Sequence, residues 1–306
     1  MPMGPGGMPP RFSHWGVRSS TLPMTPPATS NRRLARAVGL LVLALLPLLI
    51  VTLYVARYKL GMPYFDGWAL VPDIQKMLAG QLTWTELWRT HNEHRIILPR
   101  LVMLGLARLT GWNDGYEVAA NIGLAAATCL ALQAQWRRTA SGLGWARING
   151  LVPLISLVVF ALTQWENWAW GWQLVYFLHT FAAVAGLLLL ASWDGRWWRW
   201  LGALALGLAA TFSLGTGLLI WPVGLLLLLL QWRPGQARHG WAAGLWALAG
   251  VIVYLVYFTD YPRLPGPGLF QVVLLQPVGY VQYILNYLGS PAPPGTNRGQ
   301  ADAGNP

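Results

Sequence analysis

The chain has 306 residues, 55% of them hydrophobic and only 10% charged, and its mean hydropathy of +0.43 exceeds what a soluble core needs. A net charge of +11 and a pI near 10.3 would suit a nucleic-acid binder, so the placement of the charges decides between that class and a membrane protein. The single cysteine, Cys129, excludes an intrachain disulfide and any cysteine-based metal site.

The stretch from Met1 to Asn31 is rich in Pro, Gly, Ser and Thr and carries few large aliphatics. Residues 1–36 are therefore expected to form a disordered, basic cytoplasmic tail. From Ala37 to Ala56 no residue is charged. At ~1.5 Å rise per residue this run reaches about 30 Å, the thickness of the hydrocarbon layer. It is too long for a signal-peptide core and no small-residue cleavage site follows it, so it reads as an anchor.

Further apolar runs lie at Tyr116–Ala134, Ile148–Leu162, Leu174–Ala191, Trp200–Phe212, Gly217–Leu230 and Trp241–Phe258, giving seven predicted spans. The expected fold is all-α, a polytopic transmembrane bundle over residues 37–290 with a disordered tail over 291–306. The runs ending at Leu162 and Phe212 fall short of the usual ~20 residues, so their boundaries extend into flanking tryptophans or sit in thinned bilayer. Leu269 to Leu288 carries Gln271, Gln282 and Asn286 and reads as a surface helix rather than another span.

Basic residues of short loops stay on the cytoplasmic side. With a cytoplasmic N-terminus, Arg32, Arg33, Arg36, Arg137, Arg138, Arg147, Arg196, Arg199, Arg233 and Arg238 fall inside, and the outer connections Thr163–Gln173 and Ser213–Thr216 hold no Lys or Arg. Of the ten acids only Asp194 falls inside. The basic pI thus reflects topology, and no nucleic-acid partner is expected.

The loop over residues 57–113 is too long for a simple connection and is expected to be functional, with amphipathic helices of its own. Pro72 and Asp73 start one that ends near Gly80. Thr83 and Glu86 form a capping box for the next, which runs through Arg89. A third, Ile97–Thr110, carries Arg100 and Arg108 and is expected to lie on the membrane surface. Asp114 and Glu117 cap the second span. Asp66, in Tyr64-Phe65-Asp66-Gly67-Trp68, has no such role, and the alternative for it is an Asx turn holding the loop.

Two further polar clusters lie on the same side. In His91-Asn92-Glu93-His94-Arg95, followed by Arg100, planar guanidinium forks match phosphate oxygens. His91 and His94 also have the spacing of a metal-ligand pair, but the remaining ligands are missing, and a solvated polar turn competes with both readings. In Gln164-Trp165-Glu166-Asn167-Trp168-Ala169-Trp170-Gly171-Trp172-Gln173, indole faces beside acid and amide groups suit a sugar ring, although interfacial tryptophans are ordinary in membrane proteins. His179 lies inside the fourth span, where an ionisable group is a functional candidate by default and a neighbouring helix can equally satisfy it.

One N-terminal span, an acid early in a long external loop and many later spans together resemble the GT-C superfamily of polyprenyl-phosphate-sugar glycosyltransferases. The Asp66 motif, the His91 to Arg100 stretch, Glu166-Asn167 with Trp170 to Gln173, and Gly217-Leu218-Leu219-Ile220-Trp221-Pro222 resemble uncharacterised bacterial members. The resemblance implies transfer of a sugar from a polyprenyl-phosphate donor to an acceptor hydroxyl at the external face of the bacterial inner membrane. It implies Asp66 as general base, His94, Arg95 and Arg100 as donor-phosphate ligands, and Trp68, His91, Glu93, Glu166, Asn167, Trp170, Gln173 and His179 around the substrate. No cofactor is implied, and a divalent metal has no support in the pattern. Relatives carry a second acid near the first and continue through further spans, so the chain is expected to be a C-terminally shortened member. The rival reading is a non-catalytic scaffold or a carrier of lipid-linked sugars in envelope glycan assembly. An ion-coupled transporter would want paired ionisable groups inside the spans, which offer almost none apart from His179.

Overall fold

The computed structural model describes residues 28–59, 61–232, 235, 237–262 and 269–289. The tail expected over 291–306, and that expected over 1–36 as far as residue 27, lie outside the described residues. The chain divides into two compact units, Met1–Gly39 and Leu40–Pro306, and the described part of the first is simply the opening of α1.

The described residues are mostly helical and contain no strand. The helices are α1 (Ala28–Tyr58), α2 (Val71–Leu78), α3 (Trp84–Trp88), α4 (Ile97–Thr110), α5 (Gly115–Thr139), α6 (Trp145–Gly150), α7 (Val152–Val159), α8 (Trp165–Ala169), α9 (Leu174–Ala191), α10 (Trp197–Thr211), α11 (Ile220–Gln231), α12 (Ala237–Tyr257), α13 (Leu269–Leu275) and α14 (Pro277–Gly289). Short 3-10 turns at Phe65–Leu70, Leu162–Gln164, Gly171–Gln173 and Gly215–Leu219 lead into the helices that follow them. α1 is already helical at Ala28, within the stretch expected to be a tail.

Five helices are long and apolar enough to cross a membrane: Asn31–Tyr58, Gly115–Thr139, Ile148–Ala169, Gly171–Ala191 and Ala237–Tyr257. This is a multi-pass membrane protein. Of the other two expected spans, Gly215–Gln231 is a shorter apolar helix and α10 has 15 residues. The outward faces agree with lipid as solvent: Leu41, Leu45 and Leu49 on α1 and Leu248, Val251 and Leu255 on α12 are exposed, apolar surface that water would penalise.

α9 is central, packed against α5 on one side and α10 on the other, while α11 packs on α12. Close approach depends on small residues, as expected where packing rather than hydrophobicity drives helix association. A Cβ at Gly224 would lie 2.7 Å from the Trp246 ring, and one at Gly186 would lie 3.2 Å from Ile220. The tryptophans that fill this core also satisfy their own polar edges. Trp221 donates to Thr211 Oγ1 (3.0 Å), Trp246 to the Trp221 carbonyl (2.9 Å) and Trp200 to the Ala242 carbonyl (3.2 Å).

The loop before α5 is itself packed. The capping box at α3 forms as its Thr83–Glu86 spacing requires, the Thr83 N–H donating to Glu86 Oε2 at 3.0 Å. Lys76 at 2.7 Å, with Thr83 adding to the effect, draws the Glu86 carboxyl down to about 2. α4 has the expected bounds, and Met103 and Leu104 on its buried face meet Leu70, Ile96 and Trp172. Asp73 sits in the first turn of α2 as expected, yet it is also buried and paired with Arg89 (2.8 Å) and Arg100 (3.3 Å).

Candidate functional site

The starts of α5 and α9 and the ends of α10 and α12 lie at one end of the bundle, together with the 61–113 loop. The other end carries Arg137 and Arg138 at the close of α5, Arg196 and Arg199 at the start of α10 and Arg238 at the start of α12. Most of the polar residues singled out in the sequence gather at the first end.

Asp66 is placed by a tight turn in which Phe65 takes a left-handed conformation (φ 43°) and the Gly67 N–H donates to the Tyr64 carbonyl at 2.9 Å. Its carboxylate is half exposed, and its Oδ2 stands 3.4 Å from His91 Nε2, a long contact without hydrogen-bond alignment. The His91 ring packs on Trp172, centroids 4.8 Å apart. Trp170, beside Trp172 in sequence, packs on Tyr64 at 5.5 Å and Phe65 at 6.1 Å. Asp66 and His91 therefore adjoin the Trp170–Trp172 segment, Asp66 through its neighbour Phe65 and His91 through its own ring.

His91 and His94 close a four-residue turn by exchanging both backbone hydrogen bonds, at 2.8 and 3.0 Å, with Asn92 left-handed (φ 51°) at its corner. His94 Nδ1 accepts from the Gly215 N–H at 3.3 Å, which leaves the ring proton on Nε2, 3.5 Å from Glu93. Burial pushes the His94 imidazole below its ordinary range, with Glu93 opposing. On the far side of the Gly215–Thr216 turn, His179 spans from the Ala210 carbonyl (3.2 Å) to the Thr216 hydroxyl (3.3 Å). Donation to the carbonyl puts the proton on Nδ1 and makes Nε2 the acceptor. His179 is thus satisfied by neighbouring helices while it faces the same turn as His94.

Arg95 and Arg100 are built into the interior. Arg95 is 1% exposed and donates to the carbonyls of Tyr257 (2.6 Å), Trp88 (2.6 Å) and Thr259, with its guanidinium 4.3 Å over the Trp88 ring. Arg100 donates to the carbonyls of Glu86, Leu87 and Arg89 at 2.8 to 3.1 Å and pairs with Asp73. Burial lowers its pKa to about 10, against the opposing pull of Asp73. The fork expected for phosphate oxygens is taken up by backbone carbonyls in both cases.

The remaining candidates are spread around this end. Glu93 is exposed, and its carbonyl accepts from the Tyr261 hydroxyl at 2.8 Å. Glu166 and Asn167 lie on α8, Asn167 donating to Gln164 Oε1 at 3.4 Å. Gln173 is buried, with its Oε1 lacking a partner. Trp68 is exposed and packs edge-on against Trp112.

Sequence reasoning missed Tyr257, Tyr261 and Thr216, which border the site from elements far along the chain. It also read Asp114 and Glu117 as simple caps. Asp114 makes no side-chain cap bond, both are buried, and a Cβ at Gly171 would lie 2.6 Å from Glu117 Oε2. Burial raises the Asp114 carboxyl above its usual range, with Lys59 opposing. Among the described residues no three His, Cys, Asp or Glu side chains converge as a metal ion requires. Compared with protein-family models, curated proteins and solved structures, the chain matches none of them.

Proposed function

We propose that this chain is a GT-C-like membrane glycosyltransferase of the bacterial inner membrane, N-terminus cytoplasmic, acting at its external face. The observation that carries the reading is a half-exposed carboxylate, Asp66, beside His91 and next to the aromatic Trp170–Trp172 segment, at the bundle end opposite Arg137, Arg138, Arg196, Arg199 and Arg238. In the reaction, the acceptor hydroxyl gives its proton to Asp66 as its oxygen bonds to the sugar's anomeric carbon. The bond from that carbon to the lipid phosphate breaks, the electron pair leaves with the phosphate, and the centre inverts. His91 stands beside the carboxylate, and the partly exposed indole of Trp170 suits the apolar face of a sugar ring.

Charge developing on the leaving phosphate needs positive potential. The Nε2–H of His94 is available for hydrogen bonding, whereas Arg95 acts through its field because its N–H groups are engaged. An apolar groove of about 660 Å³ along α11 and α12, lined by Trp221, Leu225, Tyr254 and Phe258, reaches Thr259, whose carbonyl holds Arg95. A prenyl chain in that groove would bring its phosphate toward this end. The seven-span topology, with α10 and α11 crossing, belongs to the same proposal.

One observation favours the rival reading of a non-catalytic scaffold or carrier: two of the three phosphate candidates, Arg95 and Arg100, bind backbone carbonyls instead. Wild type and Asp66→Asn, expressed at equal level in bacterial membranes, separate the two. Polyprenyl-phosphate-sugar consumed and glycosylated product formed, both followed by mass spectrometry, vanish in the variant if Asp66 is the base. Equal behaviour of the two proteins removes the transferase reading in favour of the scaffold.

A further inference from the structure

A second cavity, of about 300 Å³, opens between the outer turns of α1, the Tyr64 turn and α8. Five of its seven lining residues carry rings, Tyr54, Tyr58, Tyr64, Trp165 and Trp170, and the only charged one is Glu166. Tyr54 and Tyr58 are one helical turn apart, which puts them on one face of α1 with centroids 5.0 Å apart. Tyr64 and Trp170 meet edge to face at 5.5 Å and close another side. Glu166 is exposed and forms no ion pair among the described residues.

Interfacial aromatics ordinarily scatter toward lipid as a belt. Here, rings from three separate segments converge on one space and leave a carboxylate unneutralised at its edge. Ring faces carry negative quadrupole potential, and a box of them is the environment that binds alkylammonium groups. The Tyr58 ring already accepts a cation in this way, with the Arg57 guanidinium 5.3 Å from its centroid. A neutral sugar would ask for several directed hydrogen bonds, whereas this wall is mostly carbon with one negative charge.

We propose that this cavity is an aromatic cage for an alkylammonium group, carried either by an amine-bearing phospholipid headgroup or by a free amine such as choline or an amino sugar. The rings supply cation–π attraction and Glu166 supplies the counter-charge. The inference does not rest on glycosyl transfer, since it needs only the cavity and its lining.

The full chain in phosphatidylglycerol nanodiscs, which contain no amine lipid, is titrated with choline and with its uncharged isostere 3,3-dimethyl-1-butanol, and binding is read from the thermal unfolding midpoint. A second preparation contains phosphatidylethanolamine, and retained lipid is read by native mass spectrometry. The expected result is saturable stabilisation by choline, with the isostere, Glu166→Gln and Trp165→Leu each weaker by about tenfold. Both substituted side chains are exposed, so the unliganded midpoints should match wild type. Phosphatidylethanolamine retained by wild type and lost from Glu166→Gln assigns the lipid source, and a choline response without such retention assigns a free amine. The proposal is overturned if the isostere binds as well as choline, if both variants respond like wild type, or if neither source binds.

Discussion

Arg95 and Tyr257 hold each other twice: the Arg95 Nε donates to the Tyr257 carbonyl at 2.6 Å, and the Arg95 backbone N–H donates to the Tyr257 phenol oxygen at 3.1 Å. With Trp88 and Thr259 completing the fork, the loop turn carrying His91 and His94 is fastened to the end of α12. A lysine at 95 has one point charge where the guanidinium feeds three carbonyls in fixed directions. Arg95→Lys should therefore destabilise the protein by about 3 kcal/mol, and the unfolding midpoint in detergent should fall accordingly. A midpoint unchanged from wild type would mean that these bonds are dispensable.

Gly171 permits the closest approach of the Trp170–Gln173 turn to α5. A Cβ there would lie 2.6 Å from Glu117 Oε2 and 3.0 Å from Glu117 Cβ. Gly171→Ala should cost about 2 kcal/mol through displacement of that buried carboxylate. Gly123, on α5 with open space around its position, is the control, and Gly123→Ala should be neutral or stabilising by about 0.5–1 kcal/mol. Thermal unfolding of the two variants side by side measures the difference, and equal effects would contradict the steric account.

Asp66 and His91 should separate by kinetic signature. If Asp66 is the base of the proposed transfer, Asp66→Asn should lower that transfer by about 10²–10⁴-fold with unfolding unchanged. His91→Gln leaves the carboxylate in place, so transfer should fall by less than in Asp66→Asn. Rates measured side by side on the two variants check this, and a wild-type rate in His91→Gln would remove the imidazole from the site.

His94 predicts an acid-side loss of stability. Its imidazole is held below the ordinary 6.5, chiefly by burial. As pH falls through 6.5, the unfolded chain takes up a proton that the folded chain still refuses, so the folded state loses stability across that window. Above 6.5 both states are neutral there and the contribution is flat. Unfolding midpoints measured from pH 8 to 5 should show a shallower acid-side fall in His94→Gln, and superimposable curves would count against the assignment.

Patterns carried within a few residues were legible in the sequence. Thr83 and Glu86 announced their capping box, the length and lack of charge of the run inside α1 announced a span, and α4 formed where its apolar period began and Gly111 ended it. What was illegible depends on distance along the chain. Nothing near Arg95 says that its partners are the carbonyls of Tyr257 and Thr259, and a backbone carbonyl leaves no mark on residue type. The same limit hid Asp73 as the partner of Arg89 and Arg100, because a helix-start acid and a buried ion-pair acid look alike until the loop is folded. The candidate site was half visible for this reason: its residues were named, but which of them meet was decided by the 3-10 turns at Gly171–Gln173 and Gly215–Leu219.

The bonds from Arg95 to Tyr257 and Thr259, and from Tyr261 to Glu93, join residues 162 to 168 positions apart. During synthesis the loop emerges first and waits for α12, so its guanidinium stays hydrated until the last of these partners is delivered. Completion of the Arg95 bonds is thereby a late event in biogenesis. A nascent chain halted before α12 would hold Arg95 by its Trp88 contacts alone.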